Sequence, residues 1–194
     1  MSADNLEWRV APTHGVRALI EDLDDDQLLV GPDRDPDEAE IDPIFATSYD
    51  QAVKDLRSDL GIGEDDEETF GAWIRTACSV DPLALSADGF VRIVPAVSDK
   101  AGVIGVVLAD VSEDAETPRL LGAFTGPTLC LAPDKRGAGL GAALVAARLM
   151  EDEELPTWDH DTPGYSPAGA GAVATAARLV LDLAAEKRFE TPSP

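Results

Sequence analysis

The 194-residue chain is short of the residues that build cross-linked or metal-held folds. It has two cysteines, Cys78 and Cys130, which fall in different predicted elements and make no C-x-x-C pair. That excludes a disulfide framework. The two histidines, His14 and His160, offer no metal-ligand spacing, so no metal is expected. No run approaches the roughly 20 apolar residues of a membrane span, and the N-terminus does not read as a signal peptide. These absences predict a soluble, cytoplasmic protein with no membrane partner. Positive charge is also scarce: 15 Lys and Arg stand against 38 Asp and Glu, a formal net charge of −23. Such a field repels nucleic acid and anionic lipid, so no nucleic-acid partner is expected. It favours a cationic partner such as an amine or a basic peptide, and it also serves plain solubility.

What the chain does have is a core. Apolar residues make up 44% of it, enough for one domain of ordinary size. Residues 1–45 read as an acidic N-terminal segment contributing the first strand or strands of the same domain. Residues 46–190 read as the single main domain, and 191–194 as a tail. Short apolar runs at 6–10 and 27–30 are strand candidates, with a short helix over 15–23 between them. Ser48 or Asp50 can cap a helix whose face carries Ala52, Val53, Leu56 and Leu60, ended by Gly61 and Gly63. A second helix from about Glu67 carries Phe70, Trp73, Ile74 and Ala77. Residues 89–111 read as a hairpin turning at Ser98, Asp99 and Lys100. Strand material follows at 120–124 and 127–131, then a helix from Leu140 with Leu144, Val145 and Leu149 for the core. A short strand is expected at 155–160. Ser166 and Pro167 punctuate the start of a last helix that runs to about Lys187, with Val173, Ala177, Val180, Leu181 and Ala184 apolar.

The stretch that carries chemistry is Leu129-Cys130-Leu131-Ala132-Pro133-Asp134-Lys135-Arg136-Gly137-Ala138-Gly139-Leu140-Gly141-Ala142. An apolar strand runs through a glycine-rich turn straight into a helix. The first backbone N–H groups of a helix have no partners within it, and their dipoles point positive. Such a turn is therefore a pocket for phosphate oxygens. Gly139 and Gly141 let a ligand approach the backbone, and Arg136 can add a planar, permanently charged fork. No Lys-Ser or Lys-Thr follows the glycines, which excludes a P-loop. The spacing G-x-G-x-G, late in the chain, also differs from the G-x-G-x-x-G of a dinucleotide fold.

Arg136-Gly137-Ala138-Gly139-Leu140-Gly141, with its Leu131-Ala132-Pro133-Asp134-Lys135 lead-in, resembles the signature Arg/Gln-x-x-Gly-x-Gly/Ala of the GNAT superfamily of N-acetyltransferases. The resemblance covers about residues 89–189. It implies an α/β fold, with a mixed, mainly antiparallel central sheet flanked by helices. It also implies an acyl-CoA-dependent N-acyltransferase, in which acetyl-CoA is the cosubstrate and a small-molecule or peptide amine attacks the thioester directly. By the resemblance, Arg136, Gly137, Ala138, Gly139, Leu140, Gly141 and Ala142 hold the pyrophosphate. The backbone of Leu129, Cys130 and Leu131 holds the pantetheine arm in a gap beside the strand at 157–160. The helix pair of residues 46–80 would border the acceptor. The family's usual tyrosine acid falls at Ala185 here. Tyr165, before the last helix, is the substitute candidate for protonating the departing thiolate. His160, flanked by Asp159 and Asp161, is the candidate base, a role worth about 10²–10⁴-fold in rate. The family usually continues for two strands beyond the last helix, which this chain does not; a smaller sheet or completion by a second copy, a homodimer, is expected. The alternative is a non-catalytic member that binds acyl-CoA or a partner.

Overall fold

A computed structural model describes residues 2–21, 48–112, 118–126, 128–153 and 167–186. Six strands form one antiparallel sheet in sequence order: β1 (Leu6–Trp8), β2 (Ala84–Ser86), β3 (Val91–Ser98), β4 (Gly102–Asp110), β5 (Arg119–Thr125) and β6 (Thr128–Leu131). The described residues also form five α-helices: α1 (His14–Glu21), α2 (Tyr49–Leu60), α3 (Glu67–Ala77), α4 (Leu140–Asp152) and α5 (Pro167–Glu186). The architecture is mixed α/β with helices on both faces of the sheet.

Successive side chains of a strand point to opposite faces, and that alternation sorts the core into two layers. Val91, Ile93, Val106, Leu108, Leu121 and Phe124 pack with α1, α4 and α5. Val94, Ala96, Val107, Ala109, Leu120, Ala123 and Cys130 pack with Leu56 of α2 and with Phe70 and Ile74 of α3. Each fully buried Leu, Ile or Val contributes about 1.5–3 kcal/mol. The helix at the centre of the first layer is α4, buried at Leu140, at Leu149 and through 142–147. Its alanines meet Val173, Ala176, Ala177 and Val180 of α5, small side chains that let the two helices lie close.

Local chemistry sets the helix ends. The Ser48 hydroxyl accepts the Gln51 N–H at 3.2 Å, and Gly61, at φ 73°, closes α2 in the left-handed conformation. The Asp66 carboxylate accepts the Thr69 N–H at 3.0 Å to start α3. Hydrogen bonding to Thr69 holds the Asp66 carboxyl below its ordinary range.

The strand material expected at 120–124 and 127–131 is found as β5 and β6, which form an antiparallel hairpin with Gly126 at φ 51°. The structure differs from the sequence-based expectations in three places. The three-residue β2 is too short and too poorly patterned to predict, yet it joins β1 to the sheet through Leu6↔Ser86 and Trp8↔Ala84. The buried stripe of α5 is Val173, Ala176, Ala177, Val180 and Leu183, and Leu181 and Ala184 are only partly covered. Finally, α2 buries a charged residue, Arg57, beside its apolar face. The strand candidates at 27–30 and 155–160 lie outside the described residues.

Candidate functional site

The candidate site is the glycine turn, and β6 delivers the chain to it. The Ala132 N–H donates to the Leu121 carbonyl at 2.9 Å, extending the β5–β6 pairing by one bond. Backbone groups of alternate residues face opposite edges of an antiparallel strand. Those of Leu129 and Leu131 therefore face away from β5. The side chains of Leu129 and Leu131 pack against the α4–α5 layer, and Cys130 is buried in the other layer. A single 3₁₀ turn, Pro133–Lys135, then leads to Arg136 in extended conformation. Gly137 and Gly139 both adopt φ near +75°, at 75° and 74°. A side chain at such φ costs about 1–2 kcal/mol, so glycine is required at both on backbone grounds alone. Gly139 is the N-cap of α4 and supplies no side-chain cap.

The result is an uncapped helix start. Among the described residues, no acceptor takes the N–H groups of Gly137, Ala138, Gly139, Leu140, Gly141 or Ala142. The first intrahelical bond is from Ala143 N–H to the Gly139 carbonyl at 3.2 Å. The nearby cations divide unequally. Asp134 pairs with Arg119 at 2.9 Å and with Lys135 at 3.1 Å, and these partners hold its carboxyl below the usual range. Arg136 is exposed and pairs with no carboxylate among the described residues; its Nε donates to the outward-facing Leu131 carbonyl at 3.4 Å. Among the described residues, neither of its Nη groups has a hydrogen-bond partner.

The glycines do not all serve a ligand. A Cβ at Gly139 would stand 3.1 Å from the Ala3 Cβ, a crowded approach. At Gly141 a Cβ would make only ordinary contacts, 3.7 Å from Leu129 and Leu131, so internal packing does not demand glycine there. The contact from Ala3 is the main feature that sequence reasoning misses, because nothing in a local pattern links residue 3 to residue 138.

A depression of about 640 Å³ opens beside the turn. It is lined by Asp4, Glu7, Asp88, Asp110 and Lys135 among others, and by none of residues 136–142. Four carboxylates against one lysine make this hollow hostile to phosphate. Among the described residues, no group of three or more His, Cys, Asp or Glu side chains is placed to hold a metal. Also among them, no helix is long and apolar enough to cross a membrane. The candidate acid Tyr165 and base His160 lie outside the described residues. Comparison with family models, curated proteins and solved structures gives no match to this chain.

One tyrosine does lie beside the strand that feeds the turn. Tyr49 donates its hydroxyl to the Leu120 carbonyl at 2.6 Å, next to Cys130. Burial, then the neighbouring Cys130 thiol, push its pKa from 10.0 up to about 12. Burial likewise pushes the Cys78 thiol from 9.0 up to about 11. Both groups are favoured neutral by the fold. Their stabilisation is complete below the unfolded values and drains away as pH rises through the folded ones. Stability is therefore expected to fall between about pH 9 and 12. Urea unfolding across that range checks it, and Tyr49→Phe is expected to flatten the part above pH 10. An identical alkaline profile for the Tyr49→Phe protein would contradict the assignment.

Proposed function

We propose that the chain is an acyl-CoA-dependent N-acyltransferase of the GNAT type. The glycine turn takes the pyrophosphate of acetyl-CoA, with Arg136 pairing its charge and the amides of residues 137–142 donating to its oxygens. The outward backbone of Leu129 and Leu131 guides the pantetheine arm along β6. An amine then attacks the thioester carbonyl, His160 takes its proton, and Tyr165 returns one to the leaving thiolate. Holding two reactants in line is most of what such a reaction asks of the protein. The observation that carries the reading is the row of amides at the start of α4 that, among the described residues, have no acceptor, beside an arginine that has no carboxylate partner among them. The overall negative charge agrees with a cationic acceptor.

The test is thermal unfolding with and without acetyl-CoA. Ligand at about a hundredfold over Kd raises the unfolding free energy by about 2.7 kcal/mol. Arg136→Ala removes one charge-assisted contact and is expected to weaken acetyl-CoA about tenfold. No change in melting at saturating acetyl-CoA sinks the reading. A second reading, a non-catalytic acyl-CoA-binding member, is favoured by Ala185 standing where the family's tyrosine falls. Thiol release on a panel of polyamines, amino acids and basic peptides separates the two: release marks the enzyme, and silence with retained binding marks the binder.

A further inference from the structure

We propose that residues 2–5 act as a brace that aims the glycine turn at its ligand, with Ala3 as the positioning residue; the aim rests on the acyl-CoA reading, and the brace itself does not. The Ala3 N–H donates to the Ala138 carbonyl at 2.8 Å, and the Ser2 hydroxyl reaches the same oxygen at 3.4 Å. The grip is anchored at its other end. Ser2 caps the short 3₁₀ turn Ala3–Asn5, and the chain passes directly into Leu6, which is buried and paired with β2. The brace is therefore tied to the sheet on one side and to the turn on the other.

What the grip controls follows from peptide geometry. A trans peptide is planar, so the Ala138 carbonyl and the Gly139 N–H point in opposite directions. Holding the carbonyl against Ala3 turns the Gly139 N–H away from residues 2–5. The Ala138 peptide is flanked by Gly137 and Gly139, the residues least able to hold a backbone orientation by themselves. Among the described residues, the turn's own amides make no bonds that would fix it. The two contacts from residues 2 and 3 supply that missing constraint, and Ala3 Cβ packs against the bare side of Gly139. The ordering of the amides is thus completed at folding, and binding need not supply it.

The sequence offers a clean test in Ala3→Pro. Proline has no N–H, so the main bond to Ala138 is lost. Ser2 is already extended, at φ −113° and ψ 160°, as a residue before proline prefers, and the first position of a helical turn accepts proline. The fold should therefore survive. Backbone NMR relaxation at residues 137–139 reads the brace directly. In the parent protein the amides of this turn are expected near the rigid value of about 0.85, and in Ala3→Pro below about 0.6. Titration with CoA reads the aim. Ala3→Pro is expected to weaken it roughly five- to thirtyfold, the ratio that ordering about one residue amounts to. Ala3→Ser, which keeps the N–H, is expected to match the parent in both measurements. Unchanged order parameters in Ala3→Pro overturn the brace. A loosened turn with unchanged CoA affinity overturns its role in binding. If the parent protein binds no CoA, the acyl-CoA reading falls, and the relaxation comparison still decides the brace.

Discussion

Arg57→Ala is expected to destabilise the protein by about 3 kcal/mol, whereas Arg57→Met is expected to cost less than about 1 kcal/mol. The asymmetry follows from how the side chain is held. Arg57 is 5% exposed at the end of α2. Its guanidinium carbon sits 4.4 Å over the Phe70 ring, Nη2 bonds Glu67 at 2.7 Å, and Nη1 donates to the Glu64 carbonyl. One residue thus ties α2, the following loop and α3 together. Truncation to alanine empties that volume and leaves the Glu64 carbonyl without its donor. Glu67 itself is largely exposed and returns to water, which keeps the loss from being greater. Methionine also leaves that carbonyl without a donor, but it refills the volume, keeps an apolar stem on Phe70, and removes a buried Nε that has no hydrogen-bond partner among the described residues. Urea denaturation of the three proteins decides the matter. Equal midpoints for Arg57→Ala and the parent would show that the buried cation contributes nothing.

Gly122→Val is expected to cost about 3 kcal/mol or more and to weaken acetyl-CoA as well. A Cβ at Gly122 would stand 2.6 Å from Leu131 Cδ2 and 2.8 Å from the Cys130 carbonyl oxygen, with Leu144 at 3.1 Å. One of these atoms is backbone, so the strain cannot be relieved by a rotamer change alone. The displaced strand is β6, which carries the outward backbone of Leu129 and Leu131 and leads into the turn. Gly102→Ala is the control: Gly102 also needs glycine, at φ 72°, but nothing lies within 4 Å of a Cβ there. Only the backbone penalty of about 1 kcal/mol is expected, with no effect on ligand. Chemical unfolding and a CoA titration of both variants test this. If Gly122→Val proves as mild as Gly102→Ala, the close approach of β5 and β6 is not a constraint.

These two predictions also mark where sequence reading stops. The helices over 49–60 and 67–77 are legible because their signals are local: a capping Ser48, a closing Gly61 and apolar residues at helical spacing. The strand–turn–helix around residues 128–152 is legible for the same reason, since glycines that must adopt positive φ stand in a fixed order beside Arg136. Residues 84–86 are not legible, because a three-residue strand has no periodicity and exists only through its partners. Nor is the burial of Arg57, whose partners at 64, 67 and 70 matter only once the loop between α2 and α3 closes over it.

The amino-acid sequence alone determined the glycine turn, the helix caps and the alternating strands that make an α/β domain, because each depends on neighbours a few residues apart. Only the tertiary structure decided which residues stand around that turn. Hydrogen bonds and excluded volume act through space, and Ala3 meets Ala138 and Gly139 only because β1 is carried into the sheet by β2. The same reach brings Arg119 to Asp134, leaving Arg136 as the cation without a carboxylate partner among the described residues around the turn.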